Sequence, residues 1–399
     1  MKKTAKYIQM EDAYGAHNYH PLDLVIRKAE DIWVEDVEGN RYLDCLAAYS
    51  AVNQGHCHPR LLKVFRRQAA KVTLTSRAFR NDQLPPFYKT LSELSGYQRV
   101  LPMNSGAEAV ETAVKAARKW GYKVKGIPAD KAEIIVCADN FHGRTTTIVG
   151  FSTDAQYQDG FGPFTPGFKV IPFGDADALA KAITPHTCAF LVEPIQGEAG
   201  IIVPPAGFLK KAAELCKAAN VLLICDEIQS GLGRTGKMFA HQWEGVRPDG
   251  LIVGKALSGG FYPVSAFLAD DEVMGVFHPG DHGSTFGGNP LGCAVANEAL
   301  KVIVEEKLVE NSLKQGEHFM AELKKVKAES IKQVRGVGLW IGLVLDRPAR
   351  PYCEALMAEG LLCKETHENV IRIAPPLTIK RKDVTWAMRR ITKVFKTLG

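Results

Sequence analysis

The feature that most constrains this chain is a set of short apolar runs that do not alternate with polar residues. Val221-Leu222-Leu223-Ile224-Cys225 is one and Cys188-Ala189-Phe190-Leu191-Val192 another. Ile134-Ile135-Val136-Cys137 and Leu251-Ile252-Val253-Gly254 are two more, and residues 265–269 add a fifth. A strand with one wet face shows a two-residue alternation, so an unbroken run has both faces covered. Between the runs lie helical patterns: Ala109, Val110, Ala113, Val114 and Ala117 recur at helical spacing, and residues 207–219 form a second helix. Strands and helices in turn predict an α/β fold, with a mostly parallel central sheet and helices on both faces.

Two of these runs stop at a charge. Asp226 directly follows one strand and Lys255 closely follows another. In an open α/β sheet ligands sit beyond the carboxyl ends of the strands, so both side chains project into one crevice. Burial disfavours an ammonium, and a lysine held there tends to lose its proton. A neutral amine on a rigid strand end is the nucleophile that forms a Schiff base with an aldehyde. The alternative is a side chain that reaches past the strand end to water. Its company favours the amine. Asp226 supplies a carboxylate that would keep a pyridine nitrogen protonated. Ser105, Gly106 and Ala107 open a helix whose N–H groups suit a phosphate. Phe141 offers an aromatic face for stacking. These are the parts a pyridoxal phosphate site requires.

At 399 residues the chain is too long for one ordinary core. After Asn289-Pro290 the pattern changes: Asn289 is placed to cap a long helix and Pro290 to fill its first turn. A second helix over residues 312–325 follows, then strands over 338–345 and 370–373 separated by a short helix from Pro351. A last helix carries Val384, Met388, Ile391 and Phe395 as one stripe. The expected division is a large cofactor-binding domain over 49–288 and a small α+β domain over 289–399. Residues 1–48, with strand-like pieces at 31–37 and 41–46, are expected to pack with the small domain.

The 50 basic and 44 acidic residues are interspersed, so the net charge of +6 does not suggest a nucleic-acid partner. Nine scattered cysteines, several inside apolar runs, imply no disulfide framework and fit a reducing compartment. No apolar segment follows Lys2-Lys3, and no apolar run approaches membrane length. The expectation is a cytoplasmic protein without a membrane partner.

The motifs resemble those of the class III pyridoxal-phosphate-dependent aminotransferases. Asp226-Glu227-Ile228-Gln229-Ser230-Gly231-Leu232-Gly233-Arg234-Thr235-Gly236 and Gly254-Lys255-Ala256-Leu257-Ser258-Gly259-Gly260 carry the likeness. Gly283-Ser284-Thr285-Phe286-Gly287-Gly288-Asn289-Pro290 and Met103-Asn104-Ser105-Gly106-Ala107-Glu108-Ala109 extend it over nearly the whole chain. The resemblance implies a fold-type I homodimer with its active site at the subunit interface and pyridoxal 5'-phosphate as cofactor. It implies catalytic roles for Lys255 and Asp226, and a contact of Gln229 near the pyridoxal 3-oxygen. It also implies that Ser284 and Thr285 reach the phosphate of the partner's cofactor.

Further segments are similar to family members that act on ornithine. They are Tyr14-Gly15-Ala16-His17-Asn18-Tyr19-His20-Pro21, Tyr49-Ser50-Ala51-Val52-Asn53-Gln54-Gly55-His56-Cys57-His58-Pro59, Glu193-Pro194-Ile195-Gln196-Gly197-Glu198-Ala199-Gly200 and Ile371-Arg372-Ile373-Ala374-Pro375-Pro376. The implied reaction moves the δ-amino group of ornithine to 2-oxoglutarate in two half-reactions, giving glutamate 5-semialdehyde and glutamate. On this analogy Arg144 takes the distal carboxylate of glutamate and Tyr19 meets the α-carboxylate of ornithine. Arg372 holds the α-carboxylate of glutamate, Glu198 masks Arg372 when ornithine binds, and Tyr49 shapes the pocket wall. Acetylornithine and 4-aminobutyrate aminotransferases share the cofactor residues and remain alternatives. Gly231-Leu232-Gly233-Arg234-Thr235-Gly236 also fits the spacing of a nicotinamide-dinucleotide loop, but five residues separate it from the strand and no small-residue helix start follows. His56-Cys57-His58 is too compact for all three to face one metal ion, and no metal site is expected.

Overall fold

The computed structural model describes residues 2–399. Three N-terminal strands come first: β1 (Ile26–Glu30), β2 (Trp33–Asp36) and β3 (Arg41–Asp44). Seven strands then build the central sheet: β4 (Arg99–Met103), β5 (Glu133–Cys137), β6 (Phe168–Ile171), β7 (Thr187–Val192), β8 (Leu222–Asp226), β9 (Gly250–Val253) and β10 (Ser265–Ala269). Five more close the chain: β11 (Ile331–Val337), β12 (Trp340–Leu345), β13 (Leu361–Leu362), β14 (Lys364–Thr366) and β15 (Val370–Ile373).

The central order is β4-β10-β9-β8-β7-β5-β6. β5 to β9 run parallel, whereas β10 pairs antiparallel with both β9 and β4. β4 therefore points the same way as β9. The carboxyl ends of β4, β5, β7, β8 and β9 share one edge, and the segments leaving it carry Ser105, Phe141, Glu193, Asp226 and Lys255.

The unbroken apolar runs are explained by what covers them. Along β8, Leu223 and Cys225 face a core that includes Phe208, Leu209, Ala212 and Cys216 of the helix Phe208–Ala218. Leu222 and Ile224 face the opposite core, with Ala109, Ala113 and Trp120 of the helix Gly106–Trp120. Each such aliphatic side chain removed from water contributes about 1.5–3 kcal/mol, so both faces hold the sheet in place.

The two remaining sheets are β1-β2-β3-β13 and β11-β12-β15-β14. β13 joins the N-terminal strands in parallel register, Leu361 opposite Leu43. Asn289 caps the helix Pro290–Glu305 as expected, its Oδ1 accepting from the Gly292 N–H at 2.7 Å. The next helix, Leu308–Leu323, starts earlier than its periodicity suggested. The chain turns at Lys307 in a left-handed conformation (φ +54) that neither glycine nor proline marks. β11 and the helix Lys3–Tyr14, none of whose residues is buried, were not anticipated. The stripe Val384, Met388, Ile391 and Phe395 of the helix Arg381–Leu398 is buried as expected. Among the described residues, no helix is long and apolar enough to cross a membrane.

Candidate active site

Asp226 pairs with Ile252 across β8 and β9, and Lys255 follows three residues later. Both line a cavity of about 140 Å3, together with Gly106, Ala107, Phe141 and Ile228. A second cavity of about 310 Å3 opens from it, sharing Gly106 and Lys255. Lys255 has φ +46, a left-handed conformation that costs a non-glycine residue roughly 1–2 kcal/mol. Burial lowers the pKa of its amine; the charges of Glu198 and Asp226 oppose this and that of Arg372 adds to it. Among the described residues the amine has no salt-bridge partner, so it stands ready for an aldehyde.

Asp226 is fixed through both oxygens. His142 Nδ1 lies 2.6 Å from Oδ2, and the Ile228 N–H donates to Oδ1 at 3.0 Å. Burial alone would lower the pKa of His142, but the hydrogen bond and charge of Asp226 outweigh it and leave the imidazole raised. His142 thus holds the carboxylate that would face a pyridinium nitrogen. Glu193 completes a buried cluster. Burial, reinforced by the charge of Asp226 and opposed by His142, pushes its pKa up to about 7. Its carboxylate accepts from the Phe141 N–H at 3.0 Å and the Gly197 N–H at 3.4 Å. It thereby ties the segment of the stacking ring to the segment that carries Glu198. Sequence reasoning had assigned nothing to His142 or Glu193.

The phosphate cup is narrower than expected. Ser105 and Glu108 form a reciprocal cap: Ser105 Oγ accepts from the Glu108 N–H at 3.3 Å, and Glu108 Oε2 accepts from the Ser105 N–H at 2.6 Å. That leaves the N–H groups of Gly106 and Ala107, which have no acceptor within their own helix. A Cβ on Gly106 would lie 2.9 Å from Ile228 Cδ1, so only glycine keeps the slot between helix and strand end open. Phe141, Ile228, Lys255 and Asp226 line this cavity with Gly106 and Ala107, so they are the residues that would hold a planar ring and its phosphate. Ser284 and Thr285 line neither cavity. Ser284 Oγ accepts instead from Asn104 Nδ2 at 2.9 Å in the same chain, and Thr285 is exposed.

On the substrate side, Arg372 is 1% exposed and lies between the rings of Tyr49 and Trp340, 5.2 and 5.5 Å from their centres. Arg372 Nη1 is 3.2 Å from Glu198 Oε1, and Nη2 donates to Gln229 Oε1 at 2.9 Å. Gln229 Nε2 donates to Glu198 at 3.1 Å, closing a triangle. Gln229, expected beside the cofactor, thus also braces the arginine and its masking carboxylate. Tyr49 and Ser50 reach Arg372 from an unusual turn: Ala47, Ala48, Tyr49 and Ser50 are all left-handed, with φ from +47 to +72. Burial, then the charge of Glu198, raises the pKa of Tyr49. Gly197 makes room for the triangle. A Cβ there would lie 2.7 Å from Trp340 Cζ2 and 2.8 Å from Gln229 Oε1. Gly197→Ala is expected to raise the KM for 2-oxoglutarate and to cost about 1–3 kcal/mol of stability by overpacking. Steady-state kinetics and thermal melting check this, and an unchanged KM would show that the triangle has slack.

Arg144 is exposed and its guanidinium lies 3.6 Å from the centre of the Tyr157 ring, a partner the sequence did not signal. Tyr19 is 82% exposed and lines neither cavity. The glycine-rich stretch after Asp226 is a structural clamp. Buried Arg234 donates from Nη1 to the carbonyls of Leu339 at 2.9 Å and Pro375 at 2.6 Å, and Gly236 abuts Leu313. His56 and His58 are committed to different carboxylates, Asp44 at 2.7 Å and Glu306 at 3.2 Å.

A lysine and an aspartate on neighbouring strand ends, a helix start and a ring slot define a site for pyridoxal phosphate. The model of the family "Aminotransferase class-III" matches residues 14–395, and this chain belongs to that family, whose cofactor is pyridoxal phosphate. It is similar to the ornithine aminotransferase of Brevibacillus brevis, with 61% identity over 99% of both chains. Its fold matches a Toxoplasma gondii ornithine aminotransferase with pyridoxal phosphate at partial occupancy, at TM-score 0.98 and 46% identity, covering 100% of this chain and 95% of that one. An acetylornithine aminotransferase from Elizabethkingia anophelis matches at TM-score 0.92 and 48% identity over the whole of both chains.

Proposed function

We propose that this chain transfers the δ-amino group of ornithine to 2-oxoglutarate, giving glutamate 5-semialdehyde and glutamate. The observation that carries the reading is the triangle of Arg372, Glu198 and Gln229. Ornithine presents an amine with no carboxylate near the reacting carbon, whereas glutamate presents one beside it. A bare buried guanidinium would be an unpaired charge in the first half-reaction and a bidentate grip in the second. Glu198 pairs with Arg372 for ornithine and gives way to the α-carboxylate of glutamate. Arg144 takes the distal carboxylate of glutamate, Tyr19 meets the α-carboxylate of ornithine, and Tyr49 shapes the pocket wall.

Bound pyridoxal phosphate supplies an aldehyde and an electron sink. Lys255 Nζ, held next to the cavity, takes the proton leaving the amino-bearing carbon and returns it in the exchange. Asp226, with His142 behind it, would pair with the ring nitrogen. Phe141 and Ile228 would flank the ring, and the N–H groups of Gly106 and Ala107 would receive the phosphate. Ser284 and Thr285 of each subunit complete the cup of a homodimeric partner, which accounts for an exposed loop beside the helix start. The setting is cytoplasmic.

N-acetylornithine and 4-aminobutyrate also present terminal amines, and the 48% identity to an acetylornithine enzyme keeps that reading in view. The test is a panel of the three amines with 2-oxoglutarate, trapping the cyclised semialdehyde from ornithine. Ornithine is expected to give a kcat/KM at least about 100-fold above the others, roughly 2.7 kcal/mol of discrimination. A preference for either alternative amine would overturn the assignment.

A further inference from the structure

Far along the chain from these motifs, the helices Leu308–Leu323 and Arg381–Leu398 pack against each other and enclose a groove of about 770 Å3. Lys325, Lys327, Arg381, Arg389 and Lys396 line it, and Glu322 is the one carboxylate among its lining residues. Glu322 is already taken by Lys325 at 2.6 Å. Its pKa is lowered by that hydrogen bond and by the charges of Lys325, His318 and Arg381, so cations from both helices converge on it. Among the described residues, Lys327, Arg381, Arg389 and Lys396 pair with no carboxylate. Arg60, by contrast, is held by Glu298 and Glu305, each at 2.7 Å.

These four cations line one concavity, and their placement is costly. Arg381 occupies the first turn of an 18-residue helix, where the dipole is positive and disfavours a cation, with Asp383 the one acid in that turn. A solvated face does not gather like charges around a concavity. His318 Nε2, also on the groove wall, is buried without a hydrogen-bond partner among the described residues. Thr385 and Thr392 add hydroxyls to it.

We propose that this groove binds an extended, multiply charged phosphate anion, the chemistry shared by inorganic tripolyphosphate and nucleoside triphosphates. Arg381 and Arg389 are eight residues apart on one helix face, about 12 Å at 1.5 Å per residue. An extended chain of phosphates can meet both forks in turn along that rise, giving each a bidentate partner. The volume is that of a small-molecule site.

The test uses the holoenzyme, whose catalytic phosphate cup is filled, titrated calorimetrically at low ionic strength with inorganic phosphate, tripolyphosphate and ATP. Tripolyphosphate and ATP are expected to bind once per chain, at least tenfold tighter than inorganic phosphate. Equal affinities identify the phosphate chain as the whole ligand; tighter ATP adds a nucleoside seated on Met388 and Val326. The double variant Arg381→Gln/Arg389→Gln should lose at least tenfold in affinity, whereas Lys89→Gln, an exposed position on the helix Leu84–Ser95, should not. Without ligand, the double variant should melt no lower than the parent, because the repulsion it relieves among the clustered cations outweighs the lost attraction of Arg381 for Glu322. Binding no tighter than that of inorganic phosphate, unchanged affinity in the double variant, or a clearly lower melting point would overturn the proposal.

Discussion

Turnover by a Lys255→Ala protein is expected to fall at least about 1000-fold, while the cofactor stays bound. A positioned general base contributes 10²–10⁴ on its own, and the same amine is the nucleophile that meets the cofactor aldehyde. Nothing nearby replaces it: His142 is engaged by Asp226, and the carboxylate of Glu193 is spent on two backbone N–H groups. The substitution does not threaten the fold. Alanine at φ +46 carries the same backbone strain as lysine, and the buried ammonium was already disfavoured by desolvation. Cofactor retention rests on Asp226, the ring slot and the N–H groups of Gly106 and Ala107, none of which changes. Stopped-flow spectroscopy of the reconstituted variant measures both quantities. Turnover within tenfold of the parent would remove Lys255 from the chemistry.

Lys255 and Asp226 were legible because strand ends in an open sheet point one way, and short apolar runs alternating with helices mark strands. The helix start at Gly106 was legible for the same kind of reason. Its cap carried a signal that went unread: Ser105 and Glu108 stand at the spacing of a capping box. The antiparallel β10 is a matter of connection, and its sequence reads as buried whichever way it runs. Four left-handed residues without a glycine, Ala47 to Ser50, defy local propensity outright. Only packing against the rest of the fold holds Tyr49 and Ser50 there. Tyr157 lies in the short helix Ala155–Gln158 with no motif, and only folding brings its ring under Arg144. The legible parts are thus those set by backbone direction, and the hidden ones depend on which side chain fills a neighbour's space.

Arg372→Lys and Glu198→Gln should damage opposite halves of the reaction. Lysine keeps the charge of Arg372 but not the planar fork that grips a carboxylate through two N–H groups. Arg372→Lys is therefore expected to slow the glutamate half-reaction about 100-fold in kcat/KM, close to 2.7 kcal/mol of lost transition-state binding. The ornithine half-reaction, which never uses that grip, should change only a few-fold. Glu198→Gln leaves the guanidinium charged beside an aliphatic substrate, with Gln229 as its remaining polar brace. Here the ornithine half-reaction should fall at least about tenfold, while glutamate, which brings its own carboxylate, reacts as well as before or better. Single-turnover spectra of the bound cofactor separate the two halves. Because the residues touch at 3.2 Å, the double variant should depart from additivity, with a coupling of roughly 0.5–3 kcal/mol. A uniform loss in both halves from either variant would mean that the pair is a structural ion pair, and that discrimination between the two substrates is made elsewhere in the pocket.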